Sequence, residues 1–330
     1  MGRPMRDLRI SVTDRCNFRC PYCMPAEVFG EAYKFLPKAD ILSFEEVTRI
    51  ARAAVQLGVR KLRVTGGEPL LRTDLPRLVA ALARIEGVED LSLTTNGFLL
   101  AGFAGTLKES GLHRVTISVD SLDEGTFKQM SGRRAGLAPV LAGIEAAAQA
   151  GLTPVKINCV VKRGTNEHTL VDLAERFRGT GHIVRFIEYM DVGTLNGWNL
   201  DEVVPANEIR AVIERCFPLE PLPPAYPGEV ANRFRYKDGA GEIGIVASVS
   251  QPFCGGCTRA RLSPEGQLVT CLFADTGTDL KGPLRDGASD AVLQEILADL
   301  WGRRTDRYSE ERTENTEPRP TKIEMFRIGG

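Results

Sequence analysis

The chain has 330 residues, and 43% of them are hydrophobic. Its 42 Lys and Arg residues nearly balance its 43 Asp and Glu residues, which leaves a net charge of −1. This balance argues against nucleic-acid binding through bulk positive charge, so a site for a polyanion must be made locally by a few arginines. The length favours two domains, with enough apolar residues for a substantial core.

The first ten residues are polar and charged and lack the apolar centre of a signal peptide. The sequence has no run of about 18 apolar residues, the length that crosses a membrane. We therefore expect a cytoplasmic protein that has neither a nucleic-acid partner nor a membrane partner.

Short β-rich runs alternate with segments of helical periodicity through roughly the first 190 residues. The predicted strands are residues 8–12, 61–65, 90–94, 113–119, 154–161 and 183–189. The first predicted helix begins at the capping box of Ser43 and Glu46 and ends before Gly58; the others are residues 75–85, 101–110, 138–150 and 166–178. These six units predict a parallel sheet with helices outside it, either doubly wound or curled into a partial barrel.

Function in either architecture is expected at the carboxyl ends of the parallel strands. Four segments with polar or cysteine residues follow predicted strands there: residues 13–23, 66–68, 94–97 and 120–121. This coincidence predicts an active site at that edge of the sheet.

Beyond the six units, residues 217–228 contain five prolines and predict a connector or a long irregular loop. We place the domain boundary there, with a first domain of residues 1–217 and a second of residues 218–330. Residues 303–320 are densely charged and poor in apolar side chains, so we expect them to be exposed and mobile.

Six of the eight cysteines form two groups of three. The groups are Cys16, Cys20 and Cys23, then Cys254, Cys257 and Cys271. Three thiolates hold three irons of a four-iron cluster and leave the fourth iron open to a small chelating molecule. A closed structural zinc site needs four ligands, although spacing alone leaves zinc open for either group. We expect the remaining two cysteines, Cys159 and Cys216, to be ordinary buried residues.

Two motifs resemble those of the radical S-adenosylmethionine (SAM) enzymes. Cys16, Cys20 and Cys23, with the aromatic Tyr22 before the last cysteine, match the signature of that family, and residues 65–69 match its second element. The resemblance implies that SAM chelates the open iron of the first cluster. An electron from the reduced cluster then yields a 5′-deoxyadenosyl radical.

Further motifs along essentially the whole chain resemble the GTP 3′,8-cyclase family of these enzymes. They are residues 9–20, 42–46, 64–72, 94–97, 118–123, 155–158, 185–190, 254–262 and 329–330. The resemblance implies conversion of GTP to a cyclised pterin precursor, the first step of molybdenum-cofactor biosynthesis. It also implies an α/β fold, an incomplete six-stranded (β/α) TIM-like barrel with a C-terminal iron–sulfur domain, and two 4Fe-4S clusters and SAM as cofactors.

The same resemblance implies roles for individual residues. The first three cysteines would hold the SAM cluster, and the last three would hold the cluster that meets the guanine ring. The residues that would contact SAM are Tyr22, Gly67, Ser118 and Met190. Those that would bind GTP are Arg9, Arg63, Thr94, Lys156, Arg259, Ala260 and Arg261. The residues expected to act in catalysis are Arg259, Arg261, Gly329 and Gly330.

The residue types suit a triphosphate. Arginine offers a planar fork of donors that matches phosphate oxygens. Arg63 and Thr65 are two residues apart, as are Arg259 and Arg261, so in strands each pair points to one face. No Walker-type phosphate-binding loop occurs in the sequence, so these arginines must carry the binding of GTP. We expect the terminal glycines, which lack side chains, to thread into a narrow polar pocket among them.

Two other readings remain open on the sequence. One is a different two-cluster radical SAM enzyme, such as a peptide-maturing one; the other is a non-catalytic zinc or electron-transfer protein. The expected partners are GTP, an external low-potential electron donor and a downstream pterin-forming enzyme. The sequence leaves the oligomeric state open, a homodimer included.

Overall fold

The computed structural model describes residues 2–132, 136–312 and 322–329. In chain order, its strands β1 to β12 are Asp7–Ser11, Lys61–Thr65, Asp90–Thr95, Arg114–Ser118, Lys156–Val161, Ile183–Glu188, Leu219–Leu222, Asn232–Tyr236, Glu242–Val246, Arg259–Leu262, Gln267–Val269 and Thr278–Asp279. They join one sheet with the order β12-β11-β10-β1-β2-β3-β4-β5-β6-β9-β8-β7.

The centre of the sheet is parallel and follows the chain from β1 to β6. Each of these six strands begins and ends within two residues of its prediction. The later strands extend the sheet on both sides, because β10 pairs with β1 and β9 pairs with β6, both in parallel. The remaining pairs, at the two edges, are antiparallel.

The helices of the described chain lie between the strands and at the C-terminal end. In chain order, α1 to α11 are Phe44–Gln56, Leu75–Ala83, Ala104–Glu109, Glu124–Ser131, Ala138–Gln149, Leu170–Phe177, Ala206–Glu214, Lys281–Arg285, Asp290–Gly302, Tyr308–Glu311 and Met325–Ile328. The predicted capping box is confirmed, since Ser43 Oγ accepts from Glu46 N at 3.1 Å and Glu46 Oε2 accepts from Ser43 N at 2.7 Å. None of the helices described is both long and apolar enough to cross a membrane.

Alternation along the strands separates two faces of the sheet. In β1, Leu8 and Ile10 are fully buried in the main hydrophobic core, whereas Arg9 between them lines a cavity on the other face. That cavity also receives side chains from β2, β5, β6, β9 and β10, so the sheet curves around it. Apolar positions therefore pack against the helices, and polar positions face the inside of the curve.

Two expectations for the irregular segments are wrong in part. Residues 219–222 of the proline-rich connector form β7, which pairs with β8 at the edge of the sheet. An edge strand tolerates proline because its outward N–H groups need no partner strand. Within the charged segment, Arg304 and Tyr308 are buried rather than exposed. Residues 313–320 of that segment lie outside the described residues. Cys216, just before the connector, is exposed, so the expectation that it is buried is wrong, whereas Cys159 is buried as expected.

Candidate active site

Side chains from both halves of the chain line one cavity on the inner face of the curved sheet, here called the central cavity. The second cysteine group, Cys254, Cys257 and Cys271, lies along one side of it. Arg9, Arg63, Arg259 and Arg261 from β1, β2 and β10 also line it, together with Met190 after β6. The structure thus brings the second cysteines together with four of the arginines predicted from sequence.

The thiol of Cys257 is held by two arginines. Arg304 donates from Nη2 to Cys257 Sγ at 3.2 Å and from Nη1 to its carbonyl at 2.7 Å, and Arg259 donates to the same sulfur at 3.4 Å. Burial alone would raise the pKa of this thiol, but Arg259 and Arg304 outweigh burial and lower the pKa to about 6. Cys257 is therefore a thiolate at neutral pH, the form that binds metal.

Backbone register places the arginines in a row across five neighbouring strands. Successive partners in this row are Arg261, Arg9, Arg63, Ser92 and Arg114. Burial, and then the neighbouring arginines, lower the pKa of Arg9, and the same causes lower the pKa of Arg261 to about 9. A row of partly buried cations that repel one another is suited to binding a polyanion.

Sequence reasoning missed Arg185 and Arg304 as members of this site. Arg185 on β6 lines the central cavity, donates to Asn158 Oδ1 at 2.9 Å and has its pKa lowered to about 9, mainly by burial. Its place in a strand at the same spacing as the other arginines was an available signal. Arg304 lies in the charged segment expected to be exposed, and no local pattern marks it.

The predicted GTP residues Thr94 and Lys156 lie in the next row of the sheet. Thr94 pairs with Thr116, which pairs with Lys156. Burial, followed by the charges of Arg185, Arg114 and Arg63, lowers the pKa of Lys156 to about 7. The Thr94 hydroxyl is buried and has no hydrogen-bond partner in the described part of the chain. Neither residue is among those that line the central cavity.

Ala260 differs from its two neighbours. It is fully buried in the hydrophobic core, on the face of β10 opposite to Arg259 and Arg261. Its methyl group therefore faces away from the central cavity, and a contact with a nucleotide would have to come from its backbone.

The first cysteine group lies in the loop between β1 and α1. Burial, reinforced by the charges of the other two cysteines and Asp120, raises the pKa of Cys20 well above its usual value, and burial also raises that of Cys23. Burial raises the pKa of Cys16 to about 11. Buried thiols that influence one another suit a bound metal centre, whose positive charge would stabilise the thiolates.

No three His, Cys, Asp or Glu side chains in the described ranges converge on a single metal ion. The thiolates of a four-iron cluster instead bind different irons. The donor set of each group, three thiols without a fourth ligand, matches what such a cluster takes.

The residues predicted to contact SAM lie around this loop. Tyr22 donates its hydroxyl hydrogen to Asp120 Oδ2 at 2.8 Å, and burial raises the pKa of Asp120 to about 6. Gly67 N donates to Thr13 O at 2.9 Å, and a Cβ on Gly67 would lie 2.3 Å from Arg15 O. Only glycine therefore allows the turn after β2 to pack against the cysteine loop.

Ser118 and Met190 lie at or just after the carboxyl ends of parallel strands. Ser118 is the last residue of β4, and Met190 follows β6 and lines the central cavity. The four predicted SAM residues thus lie at the carboxyl ends of β2, β4 and β6 or in the cysteine loop.

Glu68 was missed as a structural element of this region. It is fully buried and accepts hydrogen bonds from Thr95 Oγ1 at 2.7 Å, Asn96 N at 2.8 Å and Leu70 N at 3.0 Å. Burial raises its pKa to about 7, against the opposing effect of these donors. Because Asn96 also donates to Cys16 Sγ at 3.9 Å, Glu68 links the turn after β2 to the loop after β3 and to the first cysteine.

The C-terminal segment reaches the row of arginines. Arg261 Nη1 donates to the carbonyl oxygens of Ile328, at 3.2 Å, and of Gly329. Gly329 has φ of 68°, and a Cβ there would lie 2.2 Å from Thr65 Cγ2, so a side chain would collide with β2. Gly330 lies outside the described residues.

An ion cluster around Asp191, not predicted from sequence, holds this segment. Asp191 accepts from Tyr308 Oη at 2.5 Å and Lys322 Nζ at 3.0 Å, and its other oxygen lies 2.8 Å from Arg312 Nη2. Glu324 adds a second contact by accepting from Thr194 N at 2.9 Å. The loop after β6 is thereby tied to residues on both sides of residues 313–321.

Comparison with known protein families agrees with this arrangement. Residues 10–177 match the model of the radical SAM superfamily, and residues 182–310 match that of Molybdenum Cofactor Synthesis C. Among solved structures, that of Streptococcus suis SuiB bound to S-adenosylmethionine superposes with a TM-score of 0.61 at 15% identity, covering 96% of this chain and 70% of that one. This likeness shows the fold alone.

Curated relatives are much closer in sequence. The chain is 53% identical to the GTP 3′,8-cyclase of Acidothermus cellulolyticus, covering 100% of this chain and 98% of that protein. It is 53% identical to the enzyme of the same name from Xanthomonas axonopodis and 47% identical to that from Staphylococcus epidermidis, again over 100% of this chain and at least 97% of theirs. The chain therefore belongs to the GTP 3′,8-cyclase family of the radical SAM superfamily.

Proposed function

We propose that this chain converts GTP to the 3′,8-cyclised precursor of the pterin, the first step of molybdenum-cofactor biosynthesis, within the curved sheet described above. The observation that carries the proposal is the central cavity, which is lined both by three cysteines and by the four arginines predicted from the sequence. An anionic nucleotide and a metal cluster can be held there side by side. The division into residues 1–217 and 218–330 is part of the same proposal, although the ranges of the two family models, 10–177 and 182–310, meet earlier in the chain.

The cofactors of this family are two 4Fe-4S clusters and SAM. In our proposal, Cys16, Cys20 and Cys23 hold one cluster, and Cys254, Cys257 and Cys271 hold the other. When bound, the first cluster and SAM supply the 5′-deoxyadenosyl radical. The chain itself supplies a buried loop of thiols, and Arg259 and Arg304 stabilise Cys257 as a thiolate.

Around the first cysteine loop, Tyr22, Gly67, Ser118 and Met190 are proposed to position SAM. The Tyr22–Asp120 hydrogen bond fixes the aromatic ring next to the loop, and Gly67 allows the turn after β2 to approach it closely. These contacts would keep the reacting carbon of SAM oriented toward the central cavity and shielded from water.

GTP is proposed to lie in the central cavity. Arg9, Arg63, Arg259 and Arg261 would bind its phosphates, with Lys156 and the unpartnered Thr94 hydroxyl as further donors. Ala260 would contribute only through its backbone. Burial, and then mutual repulsion, lower the pKa values of Arg9 and Arg261. A bound polyanion relieves the repulsion, so the cations favour a triphosphate.

Gly329 and Gly330 are proposed to position the reacting groups without binding either cluster. Support comes from the contact of Arg261 with the Gly329 carbonyl and from the close approach of Gly329 to Thr65. The tail would fix the guanidinium of Arg261 relative to the nucleotide.

The remaining parts of the proposal concern the cellular setting. The enzyme needs an external low-potential electron donor, and its product passes to a downstream pterin-forming enzyme. Cysteines kept free for metal suit the reducing cytoplasm, where we place the protein. A homodimer is compatible with these features and is tested by measuring mass in solution.

The proposal is tested by incubating the reconstituted enzyme anaerobically with GTP, SAM and a reductant. We expect one 5′-deoxyadenosine for each cyclised nucleotide, both identified by mass spectrometry. Cleavage of SAM without consumption of GTP would refute the assignment of the substrate. Zinc with little iron in the purified protein would refute the assignment of the cofactors.

A further inference from the structure

Beneath the central cavity lies a second one, here called the lower cavity. The two cavities share Arg9, Arg63, Arg185, Val230 and Arg259 as lining residues, so the space continues downward from the cysteines. The lower cavity extends to the amino ends of β1, β2 and β3. The site therefore has a far end, at the amino ends of these strands, which neither cysteine group lines.

The lower cavity carries an excess of positive charge. Its lining includes Arg9, Lys61, Arg63, Arg185 and Arg259. Its two carboxylates are fewer than these cations, and Asp7 accepts from Thr258 at 2.9 Å while Asp90 pairs with Arg114 at 2.5 Å. The phosphate end of a nucleotide suits this region better than a base or a sugar does.

Residues 226–230, in the connector between β7 and β8, close the far end. Tyr226, Gly228 and Val230 line the lower cavity. Gly228 has φ of 82°, and a Cβ there would lie 2.9 Å from Thr258 Oγ1, so this segment is packed tightly against the start of β10. Glu229 fixes the turn by accepting from Ala225 N at 2.6 Å.

Tyr226 and Lys61 contact each other at this closed end. The Lys61 ammonium lies over the Tyr226 ring, 2.9 Å from its centroid. Both side chains are partly buried, and a cation–π contact strengthens when it is desolvated. The ring thus holds the ammonium at the end of the lower cavity.

We propose that Tyr226 is a specificity-determining residue that sets how deep the phosphate chain can reach and holds Lys61 at that depth. This rests on the proposed function, in which GTP occupies the central cavity. A triphosphate reaches the Lys61 ammonium, whereas a shorter phosphate chain ends before it. Tyr226 and Lys61 therefore select GTP over GDP.

The test is equilibrium binding of GTP and GDP to the reconstituted enzyme without SAM or reductant. We expect Tyr226→Ala to weaken GTP binding about tenfold, the size of a partly desolvated cation–π contact, while GDP binding changes little. Tyr226→Phe is the matched control and should bind GTP like the wild type, because the ring carries the contact. Iron content and the melting temperature report whether each variant is folded.

Lys61→Met provides an independent variant should the Tyr226 variants fold poorly. It should also weaken GTP more than GDP, and the double variant should lose little more than Lys61→Met alone, because the two side chains act as one unit. Equal losses for GTP and GDP, unchanged binding of both, or additive losses in the double variant would each overturn the proposal. A wild type that binds GTP but forms no cyclised product would contradict the proposed function and leave this selectivity intact.

Discussion

Asp191 offers a direct test of how the C-terminal segment is held in place. Its carboxylate contacts Tyr308, Arg312 and Lys322, and the ionic side chains involved are between 4% and 12% exposed. Asp191→Asn keeps the shape of the side chain and removes its charge. Two buried cations then lose their counter-charge in a region where solvent screens little.

Removing one partner of a buried ion pair lowers the free energy of unfolding by about 3–5 kcal/mol, because the other charge is left buried without compensation. We expect Asp191→Asn to lower the free energy of unfolding by about 3 kcal/mol, since the amide still accepts a hydrogen bond from Tyr308. Denaturant unfolding of the reconstituted protein measures this change. Product formation should fall as well, with iron content unchanged, because the segment that carries Gly329 loosens.

A matched control is the pair of Arg233 and Glu242, 2.5 Å apart on β8 and β9 and 21% and 22% exposed. Glu242→Gln should cost less than about 1 kcal/mol, as exposed pairs do. If Asp191→Asn is no more destabilising than this control, the cluster around Asp191 does not hold the segment. Lower stability with full product formation would show that the cluster around Asp191 stabilises the fold without influencing the active site.

Four further outcomes are expected. Cys20→Ala should remove about half of the iron and all SAM cleavage. Cys257→Ala should remove the other half of the iron and leave some uncoupled SAM cleavage. Loss of all iron in both variants would contradict two independent sites. Arg261→Ala should weaken GTP binding at least about tenfold with iron unchanged, and Arg261→Lys should restore only part of it, as titration calorimetry can show. Deleting residues 329–330 should abolish cyclisation but preserve iron and SAM cleavage, and full activity would refute a role for the tail. GTP affinity should fall as the pH rises from about 7, because Lys156 then loses its proton before binding, and Lys156→Met should remove this dependence.

The sequence predicted those features that depend on local pattern. All six central strands were found because alternation and β-branched residues mark each of them independently of its neighbours. The capping box of Ser43 and Glu46 was equally readable, since both partners lie within one turn. The local errors concern helices. The predicted helix at residues 166–178 begins only at Leu170, after a single 3-10 turn, and α4 at Glu124–Ser131 was not predicted.

Features that depend on distant partners could not be predicted. Arg304 contacts Cys257 across 47 positions, and Asp191 contacts Lys322 across 131 positions. From the sequence, neither Arg304 nor Asp191 can be distinguished from a charged residue on the solvated surface. Glu68 was visible as part of a motif, but its three donors are brought to it only when the loops after β2 and β3 meet.

The row of arginines leaves positive charge on this sheet that is not compensated until an anionic substrate binds. Arg9 lies in register with Arg261 and Arg63, and its pKa is lowered first by desolvation and then by these charges. Such repulsion destabilises the folded protein without ligand, and a bound polyanion removes it. GTP should therefore raise the melting temperature, because its phosphates compensate the arginine charges. Guanosine, which has no phosphates, should raise it little. Equal stabilisation by guanosine and GTP would mean that the base, and not the phosphate chain, compensates these cations.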